Sequence, residues 1–548
     1  MNEFRGFHKV IKFYLQPLGS FCPPQNFFCL KIFIRIILFI VALFLVLWLV
    51  FEIVAEPFIK DKIEQKLAYY HGDTVSIRAV HIHFFPVGLK LKDAYFKLQI
   101  PKDSLLINWE GDISYAQVGG VDWIKAWKEN TWDVKSIKIG EGTVHWKVQQ
   151  HISQDSSRFS NSENVESPDI ILRNTKVELF NLKFERDSLV IDLETSLNLD
   201  SLSVSRKDSV HWHLQRVQLH SEDALFENVV PDFDLGYKAL NYDSKYNQLK
   251  IDGFIMKPRI TAEEFSAKYP FRKVQPDLFL PSITVSDLNI NQLHNGVFAS
   301  KVVLDSCSFN IHQDLRKERE NIRKPLPSEL IAKIPVPVAI DSLIVRRAFL
   351  HYHHTSKKPE LGEAALEVDE LNMKIFPINN IGHPNSAEVN IVGTARLQNQ
   401  AIVSIDAILF ADKTHHDFEV KLSMKATPIS AFNSILYPTT GVKVEEGYCT
   451  GARVYMRGND FSVRGDLDIA YTDLKVSLAP GKKDNWKFIN KAKSGLGNWA
   501  LVNTDCTYAS KGGTIYFERP AKEPFVNFWW KGIQSGLLDA IVKVDLPL

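Results

Sequence analysis

The side chains with the most chemical potential in this chain of 548 residues are paired histidines. His81 and His83, His211 and His213, and His351 with His353 and His354 include residues two apart, and two such residues on a strand share a face. Each pair therefore offers two imidazole nitrogens to a metal, but a metal centre also needs a carboxylate or thiolate converging from elsewhere. No HExxH or CxxC spacing supplies one, and strand-surface histidines are the simpler expectation. GxSxG elbows, GxxxxGK[ST] phosphate loops and glycine-rich dinucleotide fingerprints are missing from the sequence as well. The expectation is a chain that is not an enzyme, with no catalytic, cofactor-binding or metal-binding residues. Cys22, Cys29, Cys307, Cys449 and Cys506 allow at most one disulfide beyond residue 54, with Cys449 and Cys506 as the leading pair. Asp200, Asp287 and Asp341 read as turn formers.

The elements that hold these residues are set by two patterns. Residues 31–54 (KIFIRIILFIVALFLVLWLVFEIV) are apolar over about 20 positions, enough for the roughly 30 Å of a hydrocarbon core. Arg5, Lys9, Lys12, Lys31 and Arg35 precede or open this run, while acids and lysines balance after it, so a cytoplasmic tail at 1–30 and a body across the membrane are expected. The apolar run is too long, and too far from the start, for a cleaved signal peptide. With 65 Lys and Arg against 64 Asp and Glu, the net charge of +1 disfavours nucleic acid as a partner.

Beyond an amphipathic helix at 57–70, apolar residues recur every second position. Val80, Ile82 and Phe84 alternate with polar neighbours, then Leu89 and Leu91, then Ala94, Phe96, Leu98 and Ile100. Residues 134–147 (VKSIKIGEGTVHWK) and 340–353 (IDSLIVRRAFLHYH) align without a gap and read as a repeated unit of two strands joined by a short turn. At one strand per 12–15 residues, about 30 strands are expected. Polar 149–168 and charged 312–333 read as breaks, giving modules at 55–150, 168–311 and 334–480 and a terminal segment at 481–548. In that segment FVNFWWKGIQSGLLDAIV is expected to be a helix with Val526, Trp529, Trp530, Ile533, Leu537 and Ile541 along one face. It packs on the sheet, or else contacts a membrane or partner.

The cationic tail, single span and following HIHFFPVGLKLKDAYFKL resemble the start of AsmA-like envelope proteins. The stretch VAIDSLIVRRAFLHYHH and the positions Asn433, Pro438, Gly447, Gly465, Tyr471 and Leu474 are similar to the closing module of the Bacteroidota type, as is the aromatic terminal helix. The resemblance covers residues 31–150 and 334–548. It implies a mostly β fold: a single transmembrane helix followed by a long, curled, mainly antiparallel sheet whose apolar groove carries phospholipid between inner and outer membranes. It also implies an inner-membrane protein with a periplasmic body and contact with outer-membrane proteins through the C-terminal region. On that reading Ile137, Ile139, Val144, Trp146, Leu343, Val345, Leu350 and Tyr352 line the groove and meet acyl chains. The competing expectation is an envelope scaffold or assembly factor that carries no lipid.

Overall fold

Alternation over most of the chain is realised as a single mostly antiparallel sheet of 22 strands. The computed structural model describes residues 56–478, apart from short interruptions of which 66–73 and 151–168 are the longest, and residues 511–541. The expected tail and anchor at 1–54, nearly all of the 149–168 loop, residues 481–510 and Cys506 lie outside the described residues. No described helix is long and apolar enough to cross a membrane.

The strands are β1 (Thr74–Phe84), β2 (Val87–Lys102), β3 (Leu105–Gly119), β4 (Thr131–Gln150), β5 (Asp169–Arg186), β6 (Leu189–Ser205), β7 (His211–Leu214), β8 (Val217–Val230), β9 (Phe233–Asp243), β10 (Gln248–Pro258) and β11 (Val274–Ser286). They continue as β12 (Val297–Asp305), β13 (Ser308–Asp314), β14 (Val338–Thr355), β15 (Glu363–Phe376), β16 (Ile378–Asn379), β17 (Ala387–Leu397), β18 (Ala401–Ala411), β19 (Phe418–Pro428), β20 (Val442–Gly458), β21 (Ser462–Leu478) and β22 (Lys511–Glu518). The helices are α1 (Trp123–Lys128), α2 (Ala262–Lys268), α3 (Pro327–Ala332), α4 (Asn433–Thr440) and α5 (Phe525–Ile541). Residues 56–61 and 63–65 are also helical, within the stretch expected at 57–70.

Chain order is ladder order. Each rung pairs with the next along the sequence, as short turns between antiparallel neighbours permit. Three rungs are shared by two short strands: β7 and β8 both pair with β6, β12 and β13 lie end to end between β11 and β14, and β16 extends β15 along β14. Only β4–β5 and the pairings of β12 and β13 with β14 are parallel.

The expected strand-turn-strand units are instead continuous strands, and the described residues form 22 strands, many of them longer than expected. The midpoints of the two repeats, Glu141 in β4 and Arg347 in β14, are left-handed residues with φ of 56° and 50° rather than turns. Similar residues interrupt β2 at Asp93, β5 at Asn181, β8 at Asp223, β10 at Gly253 and β15 at Glu370. From β1 to β5 each ladder skips one pair there: Arg78 with Asp93, Asp93 with Ser114, Ser114 with Glu141 and Glu141 with Asn181; further ladders show gaps or bulges at the corresponding places. These skips adjoin one another, so a crease runs across the strands from β1 to β15. At the crease the apolar spacing steps by three: Leu91 to Ala94, Ile139 to Gly142, Val345 to Ala348 and Val368 to Leu371. That step keeps apolar side chains on one face through a local bend of each strand. β17 and β18 pair without interruption, and the crease stops before them.

Both edges of the sheet are covered. At β1, Glu64 accepts the Ile77 N–H at 2.5 Å and Glu56 accepts the Ile82 N–H at 3.0 Å. At β22, Asp539 of α5 accepts the Thr514 N–H at 2.7 Å and Ser535 accepts the Tyr516 N–H at 3.0 Å. Side chains thus take the donors that another strand would otherwise use.

The main core lies at the C-terminal end. Phe528 and Ala540 of α5 pack with Phe418, Val420, Met456, Val463, Leu467 and Ile515 on the apolar face of β19–β22. The terminal helix therefore packs on the sheet. Its inward stripe is Phe525, Phe528, Trp529, Ile533, Leu537 and Ala540, while Val526 and Trp530 of the expected face are 79% and 41% exposed. Asp200 and Asp341 sit inside β6 and β14 rather than in turns, whereas Asp287 follows β11 with φ 57° and accepts from Ser300 at 2.5 Å, as a turn former would.

Candidate functional site

The eight groove residues fall on two strands separated by eight rungs, roughly 40 Å along the sheet. They do not form one site. On β4, Ile137 and Ile139 are half-buried and Val144 is buried, and Trp146 occupies the ladder position opposite Trp109. On β14, Leu343 and Leu350 are half-buried, whereas Val345 is buried in a small cluster with Leu280, Cys307 and Ala348. The alternate residues face the other way: Lys138 pairs with Glu178 at 2.6 Å, and the rings of His351 and His353 stack edge to face with centroids 6.2 Å apart.

Tyr352 departs from the expected role. It lies in a polar corner, donating its hydroxyl to Gln313 at 3.0 Å beside Arg272 and Arg319, and burial raises its pKa. Next to it, His354 is 4% exposed, and among the described residues neither ring nitrogen has a hydrogen-bond partner. Burial, then Arg272, then His312 hold its imidazole down to about 4. Residues 315–326, within the stretch expected as a charged break, form an ordered strap here. Arg272 donates to Leu315 O at 2.9 Å and Lys317 O at 3.2 Å, and the Lys324 N–H donates to Ala521 O at 2.9 Å.

Glu329, His416 and Asp460 bring three potential ligand atoms within 4.8 Å of one another. Arg323 already bridges the two carboxylates, 2.6 Å from Glu329 and 2.7 Å from Asp460. Arg319 pairs with Glu523, and buried Arg519 donates to Lys324 O at 2.7 Å and Glu523 O at 3.0 Å. Lys333 adds a further contact to Glu329 at 3.4 Å, and we read the cluster as an ion-pair clasp between the strap, α3, the β20–β21 turn and the approach to α5. The guanidinium holds Glu329 down to about 2, with the Leu326 N–H assisting. Among the other histidines, His81 lies 3.6 Å from Glu56, and His83, His211 and His213 lie on β1 and β7.

The remaining candidate is the apolar face itself. On β1–β15 it carries residues such as Leu89, Leu91, Val177, Leu179, Leu249, Ile251, Phe254 and Met256, all half-buried. Among the described residues the close strand–strand contacts are those between ladder neighbours. On β19–β22 the same face is filled by α5. Protein-family models give no match to this chain, and no curated protein sequence matches it.

Proposed function

We propose that this chain is a non-enzymatic, AsmA-like protein of the cell envelope, anchored in the inner membrane with its body in the periplasm, that moves phospholipid along an apolar β trough. The observation that carries this reading is the run of half-buried apolar residues along one face of β1–β15. A crease across successive strands favours folding that face inward along the length of the sheet, a trough of about 60 Å over 12 inter-strand spacings. At about 0.8 kcal/mol per CH₂, two 16-carbon chains cost on the order of 25 kcal/mol in water, and apolar lining removes most of that cost. The lipid head stays in solvent, so selection among heads is weak. Photo-crosslinkers at Ile139 or Leu343 are expected to capture lipid identified by mass spectrometry, and those at Lys138 or His351 are not. Equal labelling of both faces would sink the trough.

The scaffold reading draws on the C-terminal end, where α5 fills the face and Phe461 and Val526 stand 77% and 79% exposed. These residues suit contact with an outer-membrane protein. Crosslinks from Phe461 to protein, with no lipid captured at Ile139, would put that reading first. The charge asymmetry around 31–54 supports the orientation. Alkaline phosphatase fused after residue 70 should be active in cells, and an inactive fusion of normal abundance would reverse the topology.

A further inference from the structure

The rung between β11 and β14 is broken, because β12 stops at Asp305 and β13 starts at Ser308. The Ser306 N–H donates to Arg346 O at 2.8 Å and the Phe349 N–H donates to Cys307 O at 2.7 Å, which fixes the two strand ends. A notch of about 550 Å³ opens at this break. It lies on the polar face: Ser282, Thr284 and Ser286 line it, while the intervening Ile283 packs against the apolar cluster of Leu280, Cys307, Val345 and Ala348. That cluster gives the notch a rigid floor.

Three cations line the notch, Lys301, Arg346 and Arg347. Arg347 is committed to Asp305 at 2.6 Å. Lys301 and Arg346 are exposed and have no ion pair or side-chain hydrogen bond among the described residues. The nearby carboxylates are already engaged: Asp287 accepts from Ser300 and Asp252 pairs with Lys250 at 2.9 Å. Asp305 is the one carboxylate among the lining residues, against three cations, and the surplus positive charge beside the hydroxyls of Ser282, Thr284 and Ser286 suits an anion with more than two acceptor oxygens, since a guanidinium fork and an ammonium can take separate oxygens of one tetrahedral group. We infer that this notch binds a phosphate-bearing polar ligand, with Lys301 and Arg346 on phosphate oxygens and Ser282, Thr284 and Ser286 hydrogen-bonding around it.

The notch is on the face opposite the proposed trough, so its test is independent of lipid transfer. Titration calorimetry on the full chain in detergent is run with sodium phosphate and glycerol 3-phosphate, and flotation with phosphatidylglycerol vesicles against phosphatidylcholine vesicles. Saturable binding of the soluble phosphates supports a free ligand, and binding to phosphatidylglycerol vesicles alone supports a lipid headgroup. In either case Lys301→Ala with Arg346→Ala should weaken binding at least about tenfold, from the loss of two charge-assisted hydrogen bonds. Lys92→Ala, an exposed lysine on β2 of the same face and far along the sheet, should change nothing. The substituted side chains are exposed, so these variants are expected to fold. No saturation by any probe, or equal binding by the double variant, overturns the assignment.

Discussion

Replacing Phe418 by alanine is expected to remove about 4 kcal/mol from the C-terminal module, the cost typical of emptying a large aromatic site that cannot collapse. Phe418 is 2% exposed, and its ring lies 5.5 Å from Phe525, 5.9 Å from Phe528 and 5.8 Å from Trp529 between centroids. It therefore holds the first two turns of α5 against β19. The helix is close to the sheet further along as well: a Cβ on Gly536 would stand 2.7 Å from Ile515 Cγ1 and 3.1 Å from Leu467 Cβ. Urea denaturation followed by tryptophan fluorescence should show an earlier transition for Phe418→Ala. Phe349→Ala, at a site 41% exposed, should lie within about 1 kcal/mol of the parent. A Phe418 variant as stable as the parent would mean that α5 is not a packed core. The same face would then be open along the whole sheet, and the trough would extend past β15.

Alternation made the sheet legible, and it also produced the main error. The phase change after Leu91, or at Gly140–Glu141–Gly142, is visible in the sequence. A turn and a left-handed residue within a strand shift the apolar phase alike, and only the ladder partners decide between them. Because β3 and β5 flank β4 without a gap beyond Glu141, the strand continues and the strand count falls. The terminal helix shows another limit. Large residues suggested a stripe through Val526 and Trp530, but small residues set the side of closest approach. Gly532 and Gly536 bring the helix against Val463 and Ile515 and rotate Val526 outward. The strap was unreadable for a different reason. Arg319 and Glu523 are 204 positions apart, and a charge run carries no mark of such a partner.

Acid is expected to unfasten the strap in two steps, which follow from the sign of each shift. His354 has its pKa lowered to about 4, so the fold favours its neutral form. Its contribution is complete above the unfolded value near 6.5 and is lost as pH falls through about 4. That is on the order of 3 kcal/mol. Glu329 is likewise lowered, to about 2, so its charged form is favoured while Arg323 bridges it to Asp460. Its contribution, also on the order of 3 kcal/mol, is complete above about 4.5 and is lost towards pH 2. The two groups sit at opposite ends of the strap, so the loss from pH 6.5 to 4 belongs to the sheet end and the later loss to the clasp. Urea midpoints measured from pH 7 to 3 should fall in both ranges. His354→Phe places a somewhat larger aromatic ring there, leaves no nitrogen to protonate, and should flatten the profile between pH 6.5 and 4 while retaining the fall below 4.5. A His354→Phe profile parallel to the parent across the upper range would show that the imidazole does not control the strap.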